Sequence, residues 1–488
     1  MKKIIFLFIL VTQFSFGQSY SVLKQADGDF VSFDPFYENT DLFGYVELRE
    51  MNTDENLNVT FKYIVLDKNM NKICSGEIKQ KKADDAKSTK VILDDINYAN
   101  GLLRFDFYNV FISGSRNFKA YTTLNITTNT IVNTGIYNPE IKAISKEYKN
   151  NSRSLFNTSS LCKNGFLINE RRLFASNKEP FYNKIHAVDT KNETIWEFTS
   201  SHVFKDKYIL YKTLATDDNY ILMEGHAYKG NNDNNHKIVH YIVLDSKTGK
   251  ELLFAEVSEK YTHIFDYHFI QNGLLYMGGK YYEKNKNNNY NSLASIGLNQ
   301  TVFDIKSNSL SRETYLPYEK FKDVEINKSG KVSKEGYLTF QKTSLNPDGT
   351  FFVLAESYWQ KSNYRTYTQL YTFMMDKDFN PIKTVEYNVK QTKGYKYDFS
   401  QRLPDTTGRA YFFFDKTDDR DLELNILNYY YKSKKQVVQK MNISNDNSTI
   451  SIFPAKTGYV GIAEYYKDQK KQGNYMEIRL EKLNYERE

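Results

Sequence analysis

The chain has 488 residues, with 66 Lys and Arg against 59 Asp and Glu, a formal charge of +7. That excess is too dilute for a nucleic-acid footprint, and no segment clusters cations with interleaved aromatics, so nucleic acid is not an expected partner. Two cysteines, Cys74 and Cys162, exclude a disulfide-held scaffold, and a chain this long can bury enough apolar surface without one.

The chain opens with "MKKIIFLFILVTQFSFGQ". Lys2 and Lys3 form a basic start, residues 4–16 an apolar stretch, and Ser15 and Gly17 offer small side chains for cleavage before Gln18. The stretch is shorter than the roughly 17–25 residues of a spanning helix, so no membrane span is expected. No cysteine lies near the cleavage site, which argues against a lipid anchor. The expectation is a signal peptide at 1–17 and an exported, periplasmic or extracellular protein of residues 18–488.

The whole chain is rich in aromatics, with 40 Tyr and 34 Phe but only 8 Pro. Such residues suit a pleated, half-buried surface, and an all-β chain is expected. A turn residue followed by an apolar run comes round eight times: "FGYVELRE" from Phe43, "NGLLRFDFYNV" from Asn100, "NGFLINERRLF" from Asn164, "DNYILMEGHAY" from Asp218, "NGLLYMGGKYY" from Asn272, "DGTFFVLAESYW" from Asp348, "GRAYFFFDK" from Gly408 and "GYVGIAEYY" from Gly458. Hairpin-like segments occur at 58–79, 119–135, 184–198, 237–257, 293–316, 367–388 and 422–443. Their turns, such as "DKNMN", "DTKNE", "DSKTGK" and "DKDFNP", hold the Asp, Asn and Gly that local side-chain bonds and positive φ require.

A further strand before most copies, such as "KYILYKTLA" from Lys207, completes a four-stranded unit: a, b and the c–d hairpin. A single sheet cannot bury both faces, and radial repetition of such units leaves only short, protected edges. The expected fold is a β-propeller of about eight four-stranded blades. Seven blades with an N-terminal β appendage is the alternative, and stacked β-sandwiches or a β-helix are others. The last unit lacks an outer strand, which "SYSVLK" from Ser19 is expected to supply. Cys74 and Cys162 would then fall in the first and third units, where two buried thiols are at least as well accommodated as a bridge.

"AVDTKNETIWEF" from Ala187 resembles the tryptophan-docking repeat of quinoprotein-type propellers, and "VLDSKTGKELLF" from Val243 resembles it without the Trp. "NPDGTFFVLAE" from Asn346 is similar to the strand start of TolB-type propellers. The whole pattern, with a leader ending in "FGQ", also resembles uncharacterised exported families of Bacteroidota. These resemblances imply the fold. They imply no cofactor, because quinone enzymes dock a Trp in nearly every blade and here only Trp196 sits in that position.

The seven histidines all lie between His186 and His268. His236 and His240 would share a strand face that His226 approaches across the hairpin, a candidate metal site, although no H-x-H or H-E-x-x-H spacing fixes its geometry. No G-x-S-x-G elbow is present, and no carboxylate pair stands out as a glycosidase pair. The longer b–c connections should gather on one face, where loops on a rigid scaffold concentrate binding residues. Tyr182, Tyr290, Asn291, Tyr364 and Arg365 are the candidate contacts there. Three functions fit: a non-catalytic scaffold for an envelope protein or glycan, a carbohydrate-active enzyme with unidentified acids, or a metal-dependent activity at the histidines.

Overall fold

The computed structural model describes residues 19–23, 28–82, 89–111, 116–137, 154–172, 182–205, 207–228, 237–283, 294–321, 323–360, 364–391, 397–416, 421–444, 448–466 and 475–485. Eight antiparallel sheets succeed one another along them as the blades of a propeller. Blades 1 to 7 span residues 29–81, 89–136, 154–198, 208–256, 262–317, 331–387 and 397–444. Blade 8 takes strands a to c from Ser448–Pro454, Tyr459–Tyr466 and Tyr475–Lys482. Its outer strand is Ser19–Leu23, paired antiparallel from Ser19 opposite Arg479 to Leu23 opposite Tyr475. The chain's first described strand therefore closes the ring, as the missing strand of the last unit requires.

The eight apolar runs of the sequence are the eight b strands. Their hairpin turns follow from turn chemistry. Asn100–Gly101 and Asn272–Gly273 hold positive φ at both residues, the type I′ geometry whose twist matches flanking strands. Asp67, Asp189 and Asp376 each open a c–d turn by accepting two backbone N–H bonds of 2.7–2.9 Å. These tight turns lie on one face of the ring; the b–c and blade-to-blade connections lie on the other.

One apolar cluster fills each of the eight blade interfaces. Tyr45 and Leu66 of blade 1 pack with Ala463, Ile478 and Leu480 of blade 8, so unit one is a full blade and the ring is eight-fold. The cluster between blades 2 and 3 is the leanest, with Ala99, Leu102, Phe166, Ile168 and Val188 as its buried members. Cys74 and Cys162, in blades 1 and 3, are free and buried.

Two features depart from the regular plan. Blade 6 has a fifth strand, Lys331–Val332, on the channel side of its a strand Gly336–Leu345. The a strands of six blades carry an irregularity in register, at Val31, Asp94, Leu214, Asp266, Gln341 and Asp398. An extra residue of this kind bends a strand and re-aims its side chains.

Candidate functional site

A propeller offers three kinds of place for a site: the blade interfaces, the axial channel and the loop face. Of the expected histidine site, His226 and His240 are among the described residues. His240, on the c strand of blade 4, is buried and lies over Gly225, where an added β-carbon would come within 2.6 Å of its Nε2. That ring nitrogen meets the Tyr211 hydroxyl at 2.9 Å, and Tyr211 in turn meets the Ser200 hydroxyl at 2.7 Å. Burial, with His202 nearby, pushes the His240 imidazole down to about 4. His226 is occupied elsewhere: its Nε2 is 3.0 Å from Glu224 Oε1. His236 lies outside the described residues. Among those described, no group of three or more His, Cys, Asp or Glu side chains converges as a metal site. His202, which no motif in the sequence singles out, stacks on Phe254 at 3.9 Å and meets both Glu251 oxygens at 2.9 Å.

The buried carboxylates show a pattern. Glu47, Asp106, Glu170, Glu224, Glu356 and Glu464 sit near the middle of the b strands of blades 1, 2, 3, 4, 6 and 8, each no more than 7% exposed. A buried charge must be paired or hydrogen-bonded. Glu47 meets Arg49, Glu464 meets Arg479, and Glu356 accepts the Tyr397 backbone N–H at 2.7 Å. Lys212 lies 3.0 Å from Glu224. Burial pushes the Glu224 carboxyl up, but His226 and Lys212 outweigh it and hold it below its ordinary value.

Asp106 belongs to the lean interface between blades 2 and 3, where charge takes the place of apolar bulk. Its Oδ2 is 3.4 Å from Lys119 Nζ and its Oδ1 is 3.8 Å from Arg104 Nε. The Tyr137 hydroxyl donates to Asp106 and also contacts Thr158 of blade 3. Arg104 donates to Asn192 of blade 3 at 2.8 Å and lies 3.9 Å over the Tyr121 ring. Lys119 reaches Asp94 and the Phe156 carbonyl, each at 2.9 Å. Burial opposes the Lys119 charge, but Asp106, Tyr108 and Asp94 raise its pKa regardless.

The channel wall holds a different set. Asp95, Asp266 and Asp398 lie at or beside the bulges of blades 2, 5 and 7, exposed yet walled in. Burial lifts all three carboxyls, that of Asp266 to about 6 against the pull of Lys280.

The loop face is described best at blade 6. Arg365 pairs with Gln360 where the b and c strands meet, and its guanidinium lies 4.5 Å from the Tyr358 ring centre. Tyr364 is 40% exposed beside it. Lys331 of the extra strand places its Nζ 4.6 Å over the Trp359 ring. Tyr182 begins the c strand of blade 3, with only its backbone described, while Tyr290 and Asn291 lie outside the described residues.

Residues 360–484, which include the blade 6 loop patch from its Gln360–Arg365 pair onward, match DUF6770, a family of unknown function. No curated protein matches the chain. Among solved structures, the chain is similar to the WD40 domain of SCAP from fission yeast, at 11% identity over 95% of this chain and 98% of that one, TM-score 0.41. It is similar to polysaccharide lyase Uly1 at 9% identity over 80% and 90% of the two chains, TM-score 0.39. The β-propeller domain of the Trilobed protease from Pyrococcus furiosus shares 9% identity over 82% and 97%, TM-score 0.35.

Proposed function

We propose that the chain is an exported, non-catalytic propeller of the cell envelope, of a kind made by Bacteroidota, whose loop face holds a protein or glycan partner. The observation that carries this reading is the blade 6 patch. Trp359 and Tyr364 offer accessible flat faces, while Lys331 lies over the Trp359 ring and Arg365 over the buried ring of Tyr358. Aromatic faces with adjacent cations suit stacking against a sugar ring or a peptide side chain. The rigid blade beneath them fixes their spacing at little entropic cost on binding.

The test is cross-linking of the tagged protein in its native host, with capture compared between wild type and a Trp359→Ala/Tyr364→Ala double variant. A dominant partner or glycan lost at least tenfold in the variant, at unchanged Tm, supports the reading. Equal capture by both proteins removes the blade 6 patch as the binding surface.

Asp266 favours a second reading, a carbohydrate-active enzyme. A carboxyl held near 6 suits a general acid. Asp266→Asn abolishing the release of reducing ends from a polysaccharide panel would move this reading to the front.

A further inference from the structure

We propose that the loop face binds an acidic polysaccharide, a polyuronate chain, laid across a tyrosine cluster of blade 5 and the Trp359–Tyr364 patch of blade 6. This rests on the blade 6 reading above and adds to it a second contact and the chemistry of the partner.

The blade 5 cluster stands at the loop end of its sheet. Tyr261 immediately precedes the a strand Thr262–Gln271, Tyr281 lies next to the end of the b strand Leu274–Tyr282, and Tyr315 lies near the end of the d strand Ser309–Pro317. Their ring centres are 4.8–5.1 Å apart in all three pairs. Tyr281 is buried, and the half-buried Tyr261 and Tyr315 give the cluster its accessible surface. The Tyr315 hydroxyl is held by His263 Nε2 at 3.1 Å and by Ser258 and Glu313, which fixes the ring. Lys260 is exposed, with its Nζ 5.4 Å from the Tyr261 ring centre and 5.1 Å from that of Tyr315.

The blade 6 patch has the same make-up, with Lys331 Nζ 4.6 Å over Trp359. Among the described residues neither ammonium group has an ion pair or a hydrogen bond. Direct contacts connect the two platforms. A β-carbon on Gly297, at the start of the c strand of blade 5, would come within 2.5 Å of the Tyr281 ring. Two residues earlier, the Ser295 hydroxyl meets that of Tyr318 at 2.7 Å. A β-carbon on Gly330 would come within 2.9 Å of the Tyr318 ring and 3.0 Å of Ser295 Oγ, and the next residue is Lys331. The platforms therefore flank the loop end of blade 5, at least one sheet-to-sheet spacing of ~10 Å apart. One sugar ring cannot cover both. A chain can, and its second contact then forms at high effective concentration.

Charge complementarity sets the sign of the partner. A cation over an exposed ring is weakly held, and a carboxylate offers it a stronger, charge-assisted hydrogen bond. The anion draws the lysine aside and leaves the aromatic face to the C–H side of the sugar. A uronate carries its carboxylate on the pyranose ring itself, beside that stacked face and within reach of a lysine starting on the same platform. The carboxylates next to the blade 5 cluster are already engaged, Glu313 with the Tyr315 hydroxyl and Glu259 with a partner of its own.

The experiment is calorimetric titration of the full exported protein with polygalacturonate, its neutral methyl ester, dextran sulfate and monomeric galacturonate. Polygalacturonate should bind, and the other three at least tenfold more weakly. Lys260→Gln, at an exposed position, and Tyr261→Ala should each weaken polygalacturonate binding at least fivefold, as should Lys331→Gln. Lys432→Gln, exposed on the c–d turn of blade 7 at the opposite face, should leave it unchanged. No binding of polygalacturonate overturns the proposal, and so does undiminished binding by Lys260→Gln and Tyr261→Ala proteins of unchanged Tm. Dextran sulfate binding as tightly overturns it too, since charge alone would then suffice. If Trp359→Ala/Tyr364→Ala loses its captured partner while polygalacturonate does not bind the wild type, the blade 6 reading stands and this proposal alone fails.

Discussion

The indole nitrogen of Trp196 in blade 3 donates to the Ser246 carbonyl in the c–d turn of blade 4 at 3.1 Å. The ring lies on Gly249 of the same turn, where a β-carbon would come within 2.4 Å of it. Gly249 holds φ +68°, so both its conformation and its missing side chain are used. One blade is locked to the next by a Trp over a Gly turn, the role the two resembling segments imply. Trp196→Ala should cost about 3 kcal/mol, as for other buried aromatics. Gly249→Ala should cost roughly 1–3 kcal/mol from backbone strain, plus displacement of the ring. Urea denaturation of both single variants and the double should show non-additive losses; additive losses would mean the two do not act through one contact.

Ring closure rests on the strand Ser19–Leu23, which adds one ladder to the edge of blade 8. Removing residues 1–23 should leave the c strand Tyr475–Lys482 with an unpaired edge. Such an edge invites pairing with other chains. The truncated protein is expected to melt several degrees lower and to self-associate in sedimentation, relative to a protein starting at Gln18. An unchanged Tm and a monomeric truncated chain would show that the apolar contacts between blades 8 and 1 close the ring without it.

The blades are legible in the sequence because their signals are local. Each b strand announces itself by a turn residue and an apolar run, and the c–d turns of blades 1, 3, 4, 5 and 6 by an Asp whose carboxylate accepts its own backbone, a part that Asn125 takes in blade 2. The strand Lys331–Val332 is not legible, since two residues against a neighbouring strand leave no periodicity. The b-strand carboxylates are visible in "VELRE", "FDFYN", "MEGHA" and "LAESY", but their burial depends on partners from other strands or blades. His226 and His240 are close in sequence and on paired strands, yet a bulge between Gly225 and His226 breaks the register and each takes its own partner.

Asp106 is the keystone of the interface between blades 2 and 3. Asp106→Ala would leave Lys119 and Arg104, both buried, without their shared carboxylate. Breaking one side of a buried ionic group typically costs about 3–5 kcal/mol. Replacing the turn residue Asp189 by Ala removes only two hydrogen bonds to backbone N–H groups and should cost about 1–2 kcal/mol. Denaturant midpoints of the two variants test the ordering. A milder loss for Asp106→Ala would mean that water replaces the carboxylate and that the interface is wet.

His240 should make the fold acid-sensitive in a defined window. Its folded pKa of about 4 lies below the roughly 6.5 of an unfolded chain, because burial disfavours the imidazolium. The unfolded chain thus binds the proton first, and the contribution is complete above about pH 6.5 and lost as pH falls from there to 4. At 3% exposure the full shift applies, which is at most about 3 kcal/mol. His186 and His263, also near 4 through burial, act in the same direction but are less enclosed. His240→Gln should lose stability at pH 7.5, where the Tyr211 hydrogen bond is disturbed, and lose about 2 kcal/mol less at pH 4.5. Urea midpoints at the two pH values decide it: an equal deficit at both would mean that His240 is protonated in the folded protein and that its surroundings are open to water.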